Sequence, residues 1–330
     1  IDKFQLRYRS RKKCTSESFY VRSRWVSQKE NTIVLKLPKT KPLVLWTGKR
    51  AWRGDILMDC RLQRTCTNDY YLCVPHSYEL EDRDESDVMM VENQDQHKPL
   101  RICSLDPGVR TFQAIFDVNE SCALQVGDGD MKRIYRLCKA QDDLISRSKK
   151  EPKLKRPIKR LRERIRNLVN EVHKQLAIHL VRNYDLIMLP SFEVSQMIRK
   201  ADRKIHSTTA RQMATWAHYR FKQRLLFKCR QYGCKLAIVD ESYTSKTCSL
   251  CGYLKRDLGA SKTYRCRHCN VVMDRDVNGA KNIFLKNYEA LGISISSPGA
   301  YPLSSGDTRL HGKGAFTKVN MNFSAGFRSF

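Results

Sequence analysis

Cys248-Ser-Leu-Cys251 and Cys266-Arg-His-Cys269 form two C-x2-C pairs separated by fourteen residues. Each pair can place two thiolates on one metal from a tight turn, and two such knuckles complete a tetrahedron. Four thiolates leave no open coordination position, so the expectation is a structural Zn²⁺ held by Cys248, Cys251, Cys266 and Cys269. Gly252, directly after the first pair, supplies the permissive backbone such a knuckle needs. His268 lies inside the second pair and competes as a ligand, although the four-cysteine set is simpler. Lys246, Lys255, Arg256, Lys262, Arg265 and Arg267 surround the pairs and suit contact with nucleic acid.

The chain has 330 residues, 41% of them apolar, and a formal net charge of +28 from 62 Lys and Arg against 34 Asp and Glu. Such an excess repels itself unless a polyanion neutralises it, and nucleic acid is the usual partner because phosphate contacts also release counterions. A protein that only coats nucleic acid satisfies the charge equally well. The 13 cysteines are odd in number and no apolar leader precedes them. An intracellular, reducing setting with some thiols on metal therefore fits better than a disulfide framework. No apolar run reaches membrane-spanning length, so no membrane partner is expected. The first residue is Ile1 rather than methionine, and a preceding N-terminal portion is expected.

Residues 1–100 read as a small basic, β-rich module. Phe4–Tyr8, Ser18–Val26 and Thr32–Leu37 alternate apolar with polar residues, and the acidic stretch Glu79–Gln96 reads as a surface loop or linker. From residue 101 the pattern sharpens. Arg101–Asp106 reads as a buried strand ending in an Asp-Pro-Gly turn, and Thr111–Val118 and Cys122–Val126 complete a three-stranded meander. Helices follow over Met131–Lys150 and Pro157–Asn183. In the second, Leu161, Ile165, Leu168, Val172 and Leu176 mark one apolar face, and Lys159, Arg160, Arg162, Arg164 and Arg166 crowd another. Leu186–Leu189 is a fourth strand, Ser207–Gln231 a helix with Met213, Ala217, Phe221 and Leu225 on one side, and Cys234–Val239 a fifth strand. A last helix begins near Val277. The order β-β-β-α-β-α-β, then a cysteine insert and a helix, is the RNase H-like (RuvC) α/β order, a mixed sheet with helices. The division expected is 1–100, 101–242 as the nuclease-like core, 243–273 as the zinc ribbon, 274–290 as the closing motif and helix, and 291–330 as a flexible tail.

Tyr243-Thr-Ser-Lys-Thr-Cys-Ser-Leu-Cys-Gly252, Tyr264-Arg-Cys-Arg-His-Cys269 and Asp274-Arg-Asp-Val-Asn-Gly-Ala-Lys-Asn-Ile283 resemble the C-terminal signature of TnpB-type proteins and their eukaryotic relatives, Fanzor. Leu105-Asp-Pro-Gly-Val-Arg-Thr111 resembles the first RuvC motif of the same family. The resemblance covers most of residues 101–290, and more loosely 1–100 as a wedge-like RNA-binding region. It implies an RNA-guided DNA endonuclease from a transposable element, with Asp106 as the first catalytic aspartate and Asp276 as the last; Asp274 is the alternative to Asp276. Two-metal phosphodiester hydrolysis asks for clustered carboxylates, which suit Mg²⁺.

The middle carboxylate departs from the family pattern. A Glu is usual directly after the fourth strand, where this chain has Pro190-Ser-Phe-Glu193. Glu193 and Glu241, the latter at the carboxyl end of the fifth strand, are the two replacements. A relocated glutamate known in Fanzor-like relatives favours Glu241, expected to reach the metals from the strand next door; Asp240 is expected to point to the opposite face. Pro190 also supports a catalytically inactive, RNA-guided DNA-binding protein, and a transposase proper is a further rival. The partners implied are a guide RNA and double-stranded DNA, with the protein a monomer within the ribonucleoprotein. The location implied is nuclear for a Fanzor-like protein and otherwise cytoplasmic.

Overall fold

A computed structural model describes residues 16–29, 32–38, 41–46, 56–76, 100–293 except 202, 204, 258 and 260, and 316–319. The sequence readings at Phe4–Tyr8 and Glu79–Gln96 lie outside the described residues. The chain divides into two compact units, one of Ile1–Glu79 with Leu144–Arg162, the other of Leu80–Asp143 with Glu163–Phe330. Among the described residues no helix is long and apolar enough to cross a membrane.

The first unit carries two three-stranded antiparallel sheets. Strands β1 (Glu17–Val21), β5 (Cys60–Arg64) and β6 (Tyr70–Cys73) form one, and β2 (Val26–Lys29), β3 (Thr32–Leu35) and β4 (Leu43–Trp46) the other. The alternation expected of half-buried strands is visible in their shared core of Val21, Ile33, Leu35, Cys60 and Leu62.

The second unit is built on a six-stranded mixed sheet. Its strands are β7 (Ile102–Pro107), β8 (Gln113–Asp117), β9 (Cys122–Val126), β10 (Leu186–Pro190), β11 (Lys235–Val239) and β14 (Phe316–Val319), in the spatial order β11-β10-β7-β8-β9-β14. β7, β8 and β9 are the antiparallel meander, while β10 runs parallel to both β7 and β11. Both residue parities of β7 and β10 are buried, as a sheet covered on two faces requires. The tail 291–330 contributes β14, antiparallel to β9.

The helices are α1 (Asp130–Arg147), α2 (Lys155–Asn183), the short α3 (Val194–Met197), α4 (Ser207–Trp216), α5 (His218–Tyr232) and α6 (Arg275–Asn287). Pro157 sits in the first turn of α2, where a missing N–H costs nothing. On the predicted face of α2, Ile165, Val172 and Leu176 are buried. The single helix expected over Ser207–Gln231 is two helices, because Ala217 takes the left-handed conformation at φ 51°, ψ 53°.

That break serves an aromatic stack beneath the turn after β7. Trp216, wholly buried, donates its indole N–H to the carbonyl of Val109 at 2.9 Å, and its own carbonyl lies 2.9 Å from His173 Nε2. The rings of His173 and His218 stack on Phe112 at 4.9 and 5.1 Å, and Phe221 meets its edge. Gly127, at φ 77°, lets the chain pass against Phe112 and Trp216; a Cβ there would lie 2.9 Å from Phe112 Cβ. The turn closes with Gly108 N–H on the Phe112 carbonyl at 3.2 Å.

Burial is the main force holding both imidazoles neutral, His173 down to about 4 and His218 to about 3. Their folded pKa values lie below the unfolded value of about 6.5, so the stability they confer is complete above that pH and is lost as pH falls toward the folded values. Urea denaturation should show stability falling by several kcal/mol between about pH 6.5 and 4, and His218→Gln should flatten that fall. An unchanged pH profile in His218→Gln would contradict this assignment.

Candidate active site

Asp106 lies on β7 with the same parity as Ser104 and Ile102, facing α6. Helix α6 comes unusually close there. Ser104 Oγ donates to the Ala280 carbonyl at 2.7 Å, and Gly279 packs so near that a Cβ would overlap Asp106 Oδ2. Glycine inside a helix costs about 1 kcal/mol relative to alanine, and here it makes room for a carboxylate. Ala280, Ile283 and Phe284 of α6 continue the contact into a core with Ile102, Ala114, Phe116, Leu186, Met188, Ala237 and Val239.

Asp274 caps α6. Its Oδ1 accepts from the backbone N–H groups of Asp276 and Val277 at 2.9 and 3.2 Å, so this oxygen is occupied in the way a helix N-cap requires. Asp276 follows in the first turn, where the helix dipole favours negative charge. Glu241 is half-buried in the turn after β11. That turn is secured by Thr244, whose hydroxyl donates to the Glu241 carbonyl at 2.8 Å. Asp240 is drawn to the Lys286 ammonium and accepts from Ser242, which hold its carboxyl below the usual range. Glu193 is exposed at the start of α3 and accepts from Gln196.

Charge links Asp106, Glu241 and Asp276. Burial, followed by the charges of Asp276 and then Glu241, pushes the Asp106 carboxyl well above its ordinary range. Burial and the Asp274 charge raise Asp276, against the pull of Lys262, Arg275 and Arg110; burial and Asp240 raise Glu241. The three carboxylates do not gather as tightly as the thiols do. Among the described residues, sets of three or more ligand atoms within 4.8 Å are the four cysteines and an Asp117–Glu120–Cys122 group. The latter lies in the β8–β9 hairpin, where Glu120 N–H bonds Asp117 and Tyr184 donates to the same carboxylate. The sheet order also changes how Glu241 approaches. β10 separates β11 from β7, so Glu241 follows a strand two places from that of Asp106 rather than the strand next door.

The four cysteine sulfurs lie within 4.8 Å of one another, with Cys248–Cys269 at 3.7 Å and Cys251–Cys266 at 3.6 Å. A tetrahedron with metal–sulfur bonds of about 2.3 Å has edges of about 3.8 Å, so the cluster fits a four-thiolate ion. Gly252 takes φ 74° and returns its N–H to the Cys248 carbonyl at 2.9 Å. His268 stacks on Tyr253, outside the thiol cluster. The hairpin of β12 (Thr263–Arg265) and β13 (Val272–Asp274) completes the ribbon.

Two asparagines of α6 pin this insert to the core. Asn278 accepts from Ser249 N–H at 3.0 Å and donates to the Thr247 carbonyl at 2.8 Å, while Asn282 donates to the Thr244 and Thr247 carbonyls at 2.8 and 2.6 Å. The sequence reading missed Gly279, Asn278, Asn282 and the stack at Trp216. A signal for the first three was present: Asn278, Gly279 and Asn282 are weak helix formers within one helix, which points to roles in contacts rather than in helix formation.

A mixed sheet with a three-stranded meander, parallel β7, β10 and β11, and a four-cysteine ribbon between β11 and α6 defines an RNase H-like α/β fold of the RuvC kind. Residues 218–283 match the family model described as "Cas12f1-like, TNB domain". A TnpB-like protein of Acanthamoeba polyphaga mimivirus is 34% identical over 195 residues, which are 57% of this chain and 37% of that protein. The putative RNA-guided DNA endonuclease InsQ of Escherichia coli is 23% identical over 65% of this chain and 56% of its own length. A cryo-EM structure of a Cas12f1–sgRNA–target DNA complex aligns with TM-score 0.40 and 21% identity over 74% of this chain and 57% of that one. The sequence matches bear out the TnpB/Fanzor-type resemblance. The chain spans less than two-thirds of the length of either relative.

Gly279→Ala should leave the fold's stability nearly unchanged, because the displaced atom is the end of a mobile carboxylate, yet it should abolish any Mn²⁺-dependent rise in melting temperature. An undiminished Mn²⁺ response would show that Asp106 is not held where α6 places it. Folding raises the Asp106 carboxyl, so the metal-free protein loses stability as pH climbs from the ordinary carboxylate range toward the folded pKa. Asp106→Asn should therefore raise the melting temperature in EDTA, and more at pH 8 than at pH 5.

Proposed function

We propose that this protein is an RNA-guided DNA endonuclease in which Asp106, Glu241 and Asp276 hold two Mg²⁺ ions. The observation that carries the reading is the seat of Asp106 on β7 against Gly279 of α6, the helix whose first turn holds Asp276; the charges of Asp276 and Glu241 also bear on the Asp106 carboxyl. Partly buried like charges are relieved by taking up protons or cations, and oxygen donors suit Mg²⁺. Bound there, the metals would activate water and stabilise the leaving oxygen of a phosphodiester.

The chain's own residues set the frame for that chemistry. Gly279 gives Asp106 its place, the N-terminus of α6 favours ionised Asp276, and Asp240 with Lys286 anchors the turn that presents Glu241. Arg110, Lys262 and Arg275 bring positive charge to the acid group, suited to a phosphate backbone. The four cysteines hold Zn²⁺ as a brace. Base pairing with a bound RNA selects the DNA, while the basic protein reads backbone and duplex shape. The name InsQ carries supports the same activity.

The test is cleavage of guide-matched DNA by the protein with its native RNA, in Mg²⁺ against EDTA. Glu241→Ala should reduce cutting by two or more orders of magnitude, and Glu193→Ala should leave it intact. Cutting lost in Glu193→Ala but kept in Glu241→Ala would move the third carboxylate to α3. RNA-dependent DNA binding without any cutting would leave the guided, inactive binding protein that Pro190 supports.

A further inference from the structure

The Asp106 carboxylate accepts no hydrogen bond among the described residues, although it lies against a packed helix. A carboxylate withdrawn from water ordinarily finds donors, so the groups nearest to it matter. At the point where a Cβ on Gly279 would stand, the three nearest atoms are Oδ2 and Cγ of Asp106 and the hydroxyl of Ser245, the last at 3.7 Å. Carboxylate and hydroxyl therefore share the hollow that the bare glycine leaves on α6. Ser245 is half-buried, and its hydroxyl bonds to no described residue.

The other serine and threonine hydroxyls of residues 242–247 are all spent on the turn itself. Ser242 donates to the Asp240 carboxylate at 2.7 Å, Thr244 to the Glu241 carbonyl at 2.8 Å and Thr247 to the Tyr243 carbonyl at 3.0 Å. Such local bonds fix a turn's shape. The turn does not draw on Ser245 for that purpose. Asn282 grips the carbonyls of Thr244 and Thr247 at 2.8 and 2.6 Å, on either side of Ser245. Lys246 and Thr247 also return their N–H groups to the Tyr243 carbonyl at 3.0 and 3.1 Å. Asn282 and Gly279 belong to one helix, so the helix that leaves room for Asp106 also fixes where the serine stands beside it.

We propose that Ser245 is a positioning residue of the acid group: once a divalent cation is bound, its hydroxyl donates to the Asp106 carboxylate and holds it in the orientation the cation needs. A neutral donor suits this task, because a lysine or arginine in the same hollow would compete with the cation for the carboxylate's charge. Carboxylates that ligate metal are themselves commonly hydrogen-bonded, and loss of such a partner costs about 10–100-fold in metal affinity or activity. The proposal rests on the reading of Asp106 as a metal ligand, but not on a guide RNA or on cleavage.

The experiment titrates the full chain with Mn²⁺ without nucleic acid, reading free Mn²⁺ by electron paramagnetic resonance. Asp106→Asn marks which part of the binding belongs to the acid group. Ser245→Ala should weaken that part about tenfold or more, and Ser245→Thr, which keeps a hydroxyl, should recover most of it. Zinc content and the melting temperature in EDTA should match the parent in both variants, because the hydroxyl makes no bond in the metal-free protein. Parent-like Mn²⁺ affinity in Ser245→Ala would overturn the proposal and leave the metal reading standing. A loss in Ser245→Thr as large as in Ser245→Ala would overturn it too, as would lost zinc or a lower melting temperature, which would make Ser245 a strut of the turn. Absence of any Asp106-dependent Mn²⁺ binding in the parent would overturn the metal reading itself, and the proposal with it.

Discussion

Helix α6 can lie on β7 only because the residues between them are nearly devoid of side chain. Gly279 and Ala280 face Asp106 and Ser104, and the 2.7 Å bond from Ser104 to the Ala280 carbonyl fixes the approach. That contact sets where the N-terminus of α6 falls, hence where Asp276 stands relative to Asp106. It also sets where Asn278 and Asn282 meet the loop leading into the ribbon. A larger residue at Gly279 would meet the Asp106 carboxylate before anything else.

The acid group is costly to keep. Burial raises the proton affinity of all three carboxylates, and neighbouring acids add to it, Asp276 and Glu241 at Asp106, Asp274 at Asp276 and Asp240 at Glu241; the fold offsets this at Asp276 with a helix N-terminus and with Lys262, Arg275 and Arg110. The stack at Trp216 works from below. By tying the Val109 carbonyl to a buried indole and Phe112 between two imidazoles, it denies freedom to the turn that follows Asp106. Both histidines serve as neutral aromatic plates, a role their burial enforces.

Much of this was legible in the residues. The meander, the two later strands and the cysteine knuckles were marked by alternation, by Pro and Gly, and by thiol spacing, all local signals. What stayed hidden was of two kinds. Ala217 breaks a helix although alanine is the best helix former, and the break accompanies the packing of both Trp216 and His218 on Phe112. The course of the turn that carries Glu241 beyond β11, with β10 standing between β11 and β7, could not follow from the strand pattern. Gly279 stood within a quoted motif, but its purpose depends on a partner more than 170 residues away.

The ribbon interrupts the connection between β11 and α6, the two elements that deliver Glu241 and Asp276. An unstructured insert there would leave these acids at the ends of a long floppy tether, with an entropic penalty for bringing them together that grows with its length. Two cysteine knuckles and a short hairpin shorten the effective tether to the few residues on either side. The thiol centre is in that sense a clasp on a detour. The detour's outer surface is free to change in sequence while its two ends, gripped by Asn278 and Asn282, keep their separation.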